Sequence, residues 1–518
     1  MSDAPPPSAA ARLLFPAIRW DPAAGDWDAR TRLDAWAELG VGGYILFGGP
    51  ASAVADLTAA LRSMAPHPIL VGADLERGAG QQFAGATSLP PAAALAALDD
   101  LVATRRAGAL TGREAVALGV DWVYAPVADL DTEPENPIVG TRSFGADPGS
   151  AARHVAAWVE GCREAGALAC AKHFPGHGRT TMDSHLALPS VDADTDTLLA
   201  DLAPFRAAID AGVSSVMTAH VAFPALDPSG APATLSPAIL EGVLRERLGF
   251  RGLVVTDALT MEGARGGSSP EDAAVRAVAA GCDALLYPPD PDAMARALEA
   301  ARGGSLPEAR LAEAVARVRT AAEGRAALEA GRDAGPRRDT PGRDGAVVIG
   351  RPDDGPGDGD AVRQPDVGRP GDRAWALRQA VRSVHVLRGQ AGPPDRFEVV
   401  SVDDDLGGPY PPPPRSTFPA TLVKAGLTVL ETAEPGGARP VVVAVYADIR
   451  GFKGRPGLSP ASRAAVREAV DAAPSSLVVL FGHPRLAEGL PGDAVLCTWG
   501  GEPLMQEAAA ARLAGAPG

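Results

Sequence analysis

Three of the chain's eight histidines fall within thirteen residues, in the segment KHFPGHGRTTMDSHLALP that covers residues 172–189. Asp183 precedes His185 by two residues, on a stretch that opens with Pro175 and Gly176 and therefore predicts a mobile loop. At this spacing the aspartate can accept a hydrogen bond from one ring nitrogen of the histidine and raise its proton affinity. The other nitrogen is then available for proton transfer, so the pair is a candidate general acid/base.

The same segment permits two other interpretations. His173, His177, His185 and Asp183 are all residue types that bind metal ions. His173 and His177, however, flank Phe-Pro-Gly instead of lying one helical turn apart, and no second compact set of ligands completes a site. A loop whose histidines are only hydrogen-bonded is the third interpretation. We predict neither a metal nor a cofactor.

A second candidate group is the carboxylate of Asp257, in the apolar run LVVTDA at residues 253–258. At the end of a buried strand it is placed either to act as the nucleophile in glycosyl transfer or to bind substrate. Polar side chains near other predicted strand ends are suited to hydrogen-bonding sugar hydroxyls. The acceptors among them are Asp74 and Glu76, and the donors are Arg142, Lys172 and His173.

Short apolar runs alternate with helix-like segments over the first 325 residues, a pattern typical of βαβ units. Eight such runs predict an α/β protein with a (β/α)8 barrel, whose catalytic groups lie at the carboxyl ends of the strands. The runs cover residues 13–18, 42–47, 68–74, 121–127, 168–174, 215–221, 253–258 and 283–288. Polar residues end or closely follow them at Asp74, Asp129, Lys172, His173, His220 and Asp257.

The rest of the chain divides into two parts. Residues 326–372 are rich in Gly, Pro, Asp and Arg, which predicts a linker or mobile segment. Further apolar runs at 383–387, 397–402, 440–446, 476–481 and 494–498 predict a smaller α/β sandwich. Since 518 residues exceed what one core usually supports, we predict a barrel domain over 1–325, the linker, and a C-terminal domain over 373–518.

Composition limits the partners. The formal net charge of −16, without a basic stripe, argues against nucleic acid. No apolar run approaches the 18 or so residues of a membrane span, and the four cysteines lack C-x-x-C spacing, which favours reduced thiols. These features predict a cytoplasmic protein with no membrane partner. The oligomeric state does not follow from the sequence.

A set of motifs, in order along residues 10–325, resembles glycoside hydrolase family 3, and within it the beta-N-acetylglucosaminidases of bacterial cell-wall recycling. The C-terminal part resembles the second α/β domain of two-domain members only loosely. The motifs are APVADL (125–130), NPIVGTRSFGADP (136–148), KHFPGHG (172–178), DSH (183–185), PATLS (232–236) and LGFRGLVVTDALTM (248–261).

The resemblance implies a role for each candidate residue. Asp257 corresponds to the nucleophile, and His185 assisted by Asp183 to the acid/base. Sugar-binding positions correspond to Asp74, Arg142, Lys172 and His173. The implied activity is that of a retaining, exo-acting beta-N-acetylhexosaminidase, which releases terminal GlcNAc from peptidoglycan-type fragments or related glycosides through a covalent glycosyl-enzyme. Its partner is then a GlcNAc-containing carbohydrate.

One stretch departs from the family pattern. Where members often read DQEGGRVxR, residues 74–82 read DLERGAGQQ, so that Ala79 and Gln82 replace two arginines and Arg77 stands at a shifted position. The identity of the sugar is therefore left open. A family 3 beta-glucosidase, a beta-N-acetylglucosaminide phosphorylase and a degenerate sugar-binding protein are the alternatives.

Overall fold

The computed structural model describes residues 8–265, 267–333, 365–390, 392, 396–405, 412–433, 435–449, 451–453 and 455–516. The strands of the first region are short and carry buried side chains at most positions. They are β1 (Leu14–Phe15), β2 (Ala17–Asp21), β3 (Asp26–Trp27), β4 (Gly43–Phe47), β5 (Leu70–Ala73), β6 (Trp122–Val123), β7 (Leu168–Phe174), β8 (Ser215–Thr218), β9 (Leu253–Thr256) and β10 (Leu285–Leu286).

Apart from β3, which lies at the edge beside β2, these strands follow chain order around one core. One sheet has the order β3-β2-β4-β5-β6-β7-β8-β9 and is parallel except for the β2–β3 pair. β1 pairs in parallel with β10, and a single bridge joins Val255 to Ala284, next to β10. No continuous ladder closes the sheet within residues 8–265 and 267–333. The predicted α/β class with parallel strands is confirmed, and every predicted run of this region contains a strand.

Helices lie between the strands, and several begin at a side chain that caps the first turn. Such a cap satisfies a backbone N–H that the helix leaves unpaired. The capping residues are Asp100, Asp147, Asp194, Ser269 and Asp290. The helices are α1 (Leu33–Leu39), α2 (Ala51–Met64), α3 (Ala92–Ala97), α4 (Leu101–Ala117), α5 (Pro148–Glu164), α6 (Thr195–Asp201), α7 (Ala203–Asp210), α8 (Glu262–Arg265), α9 (Pro270–Ala280), α10 (Pro291–Ala301) and α11 (Glu308–Asp333), with a π-helix at Ala238–Arg247.

Buried ion pairs hold the amino ends of the strands. Asp283, before β10, pairs with Arg245 at 2.8 Å and Arg317 at 3.1 Å. Asp121, before β6, pairs with Arg325 at 3.2 Å. Breaking such a buried pair leaves an uncompensated charge, so these charged residues stabilise the fold. The polar residues at the carboxyl ends of the strands are therefore the candidates for a functional site.

The second region is a parallel sheet covered on both faces. Its strands are β11 (His385–Arg388), β12 (Arg396–Asp403), β13 (Thr428–Glu431), β14 (Val441–Ala447), β15 (Ser476–Gly482) and β16 (Ala494–Cys497), in the order β11-β16-β15-β14-β12-β13. All neighbours are parallel except β11 and β16. Its helices are α12 (Pro370–Ser383), α13 (Thr417–Lys424), α14 (Pro460–Asp471) and α15 (Pro503–Leu513).

Burial of the central strand β14 on both faces explains why the predicted run at 440–446 is continuously apolar. Val442, Ala444 and Tyr446 face one core with α13 and α15, whereas Val443 and Val445 face a second core with α14. Strands buried on both faces lose the alternation of polar and apolar residues. The predicted second α/β domain is confirmed. β13 and β3 were missed because each is short and half-exposed.

Helices occupy both ends of the predicted linker. α11 continues to Asp333, because the segment after residue 325 is rich in Ala, Glu and Arg, which favour helix. α12 begins at Pro370. Residues 334–364 lie outside the described residues, so the domain boundaries stay a prediction. Within the described part of the chain, no helix is long and apolar enough to cross a membrane.

Candidate active site

Asp257 directly follows β9, at the carboxyl end of the parallel strands. Its Oδ1 accepts the N–H of Ala258 at 2.7 Å, its Oδ2 lies 4.0 Å from His173 Nε2, and its side chain is 23% exposed. Burial raises the pKa of this carboxyl, but the charges of His173, His220 and His185 lower it to about 2. The result is an ionised, accessible carboxylate, which is what a nucleophile requires.

The predicted pair of Asp183 and His185 is formed. Asp183 Oδ1 lies 2.7 Å from His185 Nδ1 and accepts the backbone N–H of the same residue at 2.9 Å. Burial raises the pKa of Asp183, whereas the hydrogen bonds and charge of His185 lower it, with a net lowering. The carboxylate therefore holds Nδ1 and leaves Nε2 of the 27% exposed imidazole for proton transfer.

Lys172 and Arg142 are brought together by Glu76, which the sequence indicates only as an acceptor for sugar hydroxyls. Glu76 accepts from Lys172 Nζ at 2.8 Å and from Arg142 Nε and Nη2 at 2.9 and 2.8 Å. Lys172 Nζ also donates to Asp74 at 2.6 Å. Burial raises the pKa of Glu76, but Arg142 and Lys172 hold it well below its usual range. Glu76 therefore organises the donors, while the half-buried Asp74 remains open to a ligand.

His173 is oriented by the fully buried Asp129. Asp129 Oδ2 lies 2.7 Å from His173 Nδ1, and Oδ1 accepts the backbone N–H groups of His173 and His177 at 3.1 and 2.7 Å. Burial raises the pKa of Asp129, yet His173 and His177 lower it overall. Because Nδ1 is held, Nε2 of His173 is directed toward Asp257. The sequence signals for Asp129 are its place just past a strand end and its position in the APVADL motif.

His220 contacts the backbone next to Asp257. Its Nδ1 lies 2.8 Å from Thr234 Oγ1 and its Nε2 3.2 Å from the carbonyl oxygen of Ala258. Burial lowers the pKa of His220, although the charge of Asp257 opposes this. The imidazole thus fixes the backbone that immediately follows the nucleophile. Its strand-end position and the PATLS motif were the available signals.

His177 has no contact that suggests chemistry. Its ring nitrogens lie 2.7 Å from Thr180 Oγ1 and 2.9 Å from Ser184 Oγ. It therefore ties the start of the loop to the residue next to Asp183. Within the described residues, no group of three or more potential metal ligands converges.

The buried His177 makes stability depend on pH. Burial lowers the pKa of this imidazole from 6.5 to about 4. Between these values the unfolded chain binds a proton that the folded chain does not, so stability falls as the pH falls. Urea unfolding at pH 7 and pH 5 should show a loss of about 2 kcal/mol attributable to this residue. The pH-dependent loss should shrink by that amount in His177→Gln and not in His67→Gln; equal losses in all three proteins would contradict the assignment.

The altered stretch after β5 faces the second domain. Gln81 Oε1 accepts the backbone N–H of Arg77 at 2.8 Å, and Gln82 Oε1 accepts that of Gly48 at 3.3 Å. The Arg77 guanidinium forms an ion pair with Glu502 of the C-terminal region. Arg77, at its shifted position, therefore links this loop to the C-terminal region.

Known proteins are similar to the part of the chain that carries the site. Residues 28–321 match the profile of the glycosyl hydrolase family 3 N terminal domain. A "Beta-N-acetylglucosaminidase/beta-glucosidase" of Cellulomonas fimi is 41% identical over 260 residues, which cover 48% of this chain but only 46% of that protein. A "Beta-hexosaminidase" of Nitrosomonas eutropha is 39% identical over 265 residues, 49% of this chain and 75% of that protein.

The whole chain also has a structural counterpart. The family 3 beta-N-acetylglucosaminidase from Paenibacillus sp. str. FPU-7 superimposes with a TM-score of 0.79 at 29% identity, over 99% of this chain and 97% of that one. The counterpart extends the likeness beyond the region that the family profile matches. The resemblance predicted from the motifs is confirmed: the chain belongs to glycosyl hydrolase family 3.

Proposed function

We propose that the chain is a retaining, exo-acting beta-N-acetylhexosaminidase that hydrolyses terminal GlcNAc residues. The observation that carries the proposal is the presence in one site of an ionised carboxylate, Asp257, and an imidazole, His185, held at Nδ1 by Asp183. His185 is near enough to Asp257 for its charge to lower the pKa of that carboxyl. The names of the relatives support the choice of an N-acetylated sugar.

The first chemical step transfers the sugar to the enzyme. Asp257 attacks the anomeric carbon while the imidazolium of His185 donates its Nε2 proton to the glycosidic oxygen, which leaves with the aglycone as an alcohol. The product is a glycosyl ester of Asp257. Asp183 stabilises the imidazolium before the transfer.

The second step releases the sugar. Neutral His185 removes a proton from water, whose oxygen attacks the anomeric carbon and displaces the Asp257 carboxylate. The imidazolium is restored, again beside Asp183. Each step inverts the anomeric centre, so that the two together retain its configuration.

The remaining predicted residues are assigned to sugar binding. Lys172, Asp74 and Arg142 form the hydrogen-bonded group around Glu76, and such a preorganised array is suited to hydroxyl groups. His173 follows Lys172 in the chain, and its Nε2 lies 4.0 Å from Asp257 Oδ2. We propose that these four side chains hold the sugar whose anomeric carbon faces the nucleophile.

The proposal also covers the cellular compartment and the natural substrate. The four cysteines are free and buried, which is compatible with a reducing compartment such as the cytoplasm. In that compartment the substrates would be peptidoglycan-type fragments carrying a terminal GlcNAc. Cell fractionation and release of GlcNAc from such a disaccharide test these two points.

The activity is tested with nitrophenyl beta-glycosides of GlcNAc, GalNAc and glucose, with and without inorganic phosphate. We expect fastest release from the GlcNAc substrate, no dependence on phosphate, and NMR detection of the beta-anomer as first product. A preference for glucose would identify a beta-glucosidase, and formation of a glycosyl phosphate a phosphorylase. Sugar binding without turnover would identify a degenerate binding protein.

A further inference from the structure

The C-terminal region reaches the acid/base pair through the segment 451–453. The backbone N–H of Phe452 donates to Asp183 Oδ2 at 2.6 Å, across 269 residues of sequence. The ring centroid of Phe452 lies 4.3 Å from that of His185. Since Asp183 Oδ1 is engaged with His185, both oxygens of the carboxylate have a donor, one of them from the second domain.

The segment approaches His185 more closely than a side chain would allow. A Cβ added at Gly451 would lie 2.9 Å from His185 Cε1 and 3.1 Å from Nδ1. Phe452 itself has a φ of 68°, in the left-handed region that a non-glycine residue rarely adopts. Such a conformation costs on the order of 1 kcal/mol and persists where surrounding contacts impose it.

The segment is fastened to its own domain. Lys453, only 1% exposed, lies 3.2 Å from Asp404 Oδ2 and 3.4 Å from Asp405 Oδ1, and donates to the carbonyl oxygen of Asp448 at 3.0 Å. The two aspartates directly follow β12, and Asp448 directly follows β14. The segment is thus tied to the carboxyl ends of the sheet, which limits its freedom to move independently of the domain.

The domain is in turn docked on the loops of the first domain. Asp131, two residues past Asp129, lies 3.0 Å from His483 Nε2 and 2.8 Å from Arg485 Nη1. Burial raises the pKa of Asp131, but His483 and Arg485 lower it overall. Together with the contact of Phe452, these contacts fix the second domain beside the acid/base loop.

We propose that Gly451 and Phe452 are positioning residues for proton transfer, so that the C-terminal domain forms part of the acid/base device. The inference rests on the proposed function of His185. The amide of Phe452 holds Asp183 so that Oδ1 faces Nδ1, and its ring, with the bare backbone of Gly451, sets the plane of the imidazole.

Two variants and a matched control test the inference. Gly451→Ala forces the imidazole to move, and Phe452→Ala removes the ring but keeps the amide. Gly457→Ala is the control, because an added Cβ there meets nothing within 4 Å and its φ is ordinary. The substrates are a GlcNAc disaccharide, whose leaving group needs a proton, and dinitrophenyl N-acetylglucosaminide, whose leaving group does not.

We expect Gly451→Ala to lower kcat/KM for the disaccharide by about 10- to 100-fold, the range that a displaced catalytic group produces. For the dinitrophenyl substrate kcat/KM should change less than about 3-fold, since protonation contributes little to that step. Phe452→Ala should likewise lower kcat/KM for the disaccharide more than for the dinitrophenyl substrate. Gly457→Ala should match the wild type. Equal losses on both substrates, or no loss on either, would overturn the inference.

A second measurement separates this inference from the proposed function. If the wild type turns over neither substrate, the proposed function fails, and the inference is then judged by NMR titration of the His185 ring in histidine-labelled protein. The ring signals and their titration should differ between wild type and Gly451→Ala but not between wild type and Gly457→Ala. Identical titrations in all three proteins would overturn the positioning role without reference to turnover.

Discussion

Replacing Asp257 by alanine should lower kcat/KM for every glycoside by about 10⁴-fold or more, the scale seen when a covalent nucleophile is removed. The loss should be the same for good and poor leaving groups, because the bond from Asp257 to the anomeric carbon forms in both cases. Initial rates on dinitrophenyl N-acetylglucosaminide and on a GlcNAc disaccharide measure it. Asp210→Ala, at an exposed position at the end of α7, is the control and should retain wild-type rates.

The ester intermediate gives a direct check on the same residue. A 5-fluoro derivative of N-acetylglucosaminyl fluoride slows release from the enzyme and allows the intermediate to accumulate. Peptide mass spectrometry should then find the sugar on Asp257. A label on another carboxylate, such as Asp74, would contradict the assignment even if Asp257→Ala were inactive.

The electrostatics of the site give a reason for an imidazole as the acid/base. A second carboxylate beside the ionised Asp257 would be opposed by like charge in a partly desolvated pocket. Here the second carboxylate, Asp183, lies behind the imidazole and accepts hydrogen bonds on both oxygens. Its charge stabilises the imidazolium of His185.

Local spacing was sufficient to predict part of this site. The two-residue separation of Asp183 and His185, and the strand-end position of Asp257, are properties of short segments, and the structure shows the hydrogen bond and the strand end. Glu76 was noted only as a sugar-binding carboxylate. Its contacts with Lys172 and Arg142 bring together the residues after β5, strand β7 and the loop between β6 and α5, which no single segment encodes.

The contribution of the second domain could not be predicted for the same physical reason. Phe452 meets Asp183 across 269 residues, through a docking that depends on Asp131 and the residues after β15. The segment around it is a loop with no periodicity, and its left-handed φ lies at a phenylalanine, where sequence favours glycine or asparagine. Only the packed structure shows that the neighbouring Gly451 is required by the imidazole.

Replacing His185 by alanine should lower kcat/KM for one substrate much more than for the other. For the GlcNAc disaccharide we expect kcat/KM to fall by about 10² to 10⁴-fold, because the departing oxygen is no longer protonated. For dinitrophenyl N-acetylglucosaminide kcat/KM should stay within about 3-fold, since the phenolate leaves without a proton. His67→Ala is the matched control, because His67 lies before β5, at the strand end away from the site.

The second chemical step, hydrolysis of the Asp257 ester, gives a more specific test of His185. Without His185 no base activates water, so kcat for the dinitrophenyl substrate should fall while the ester of Asp257 accumulates. Azide attacks without losing a proton and should restore kcat, with a beta-glycosyl azide as product. Asp183→Asn should give the same pattern more weakly, because the imidazole remains but its imidazolium loses the carboxylate. If azide restores nothing, or if both substrates lose kcat/KM alike, His185 is not the group that moves the proton.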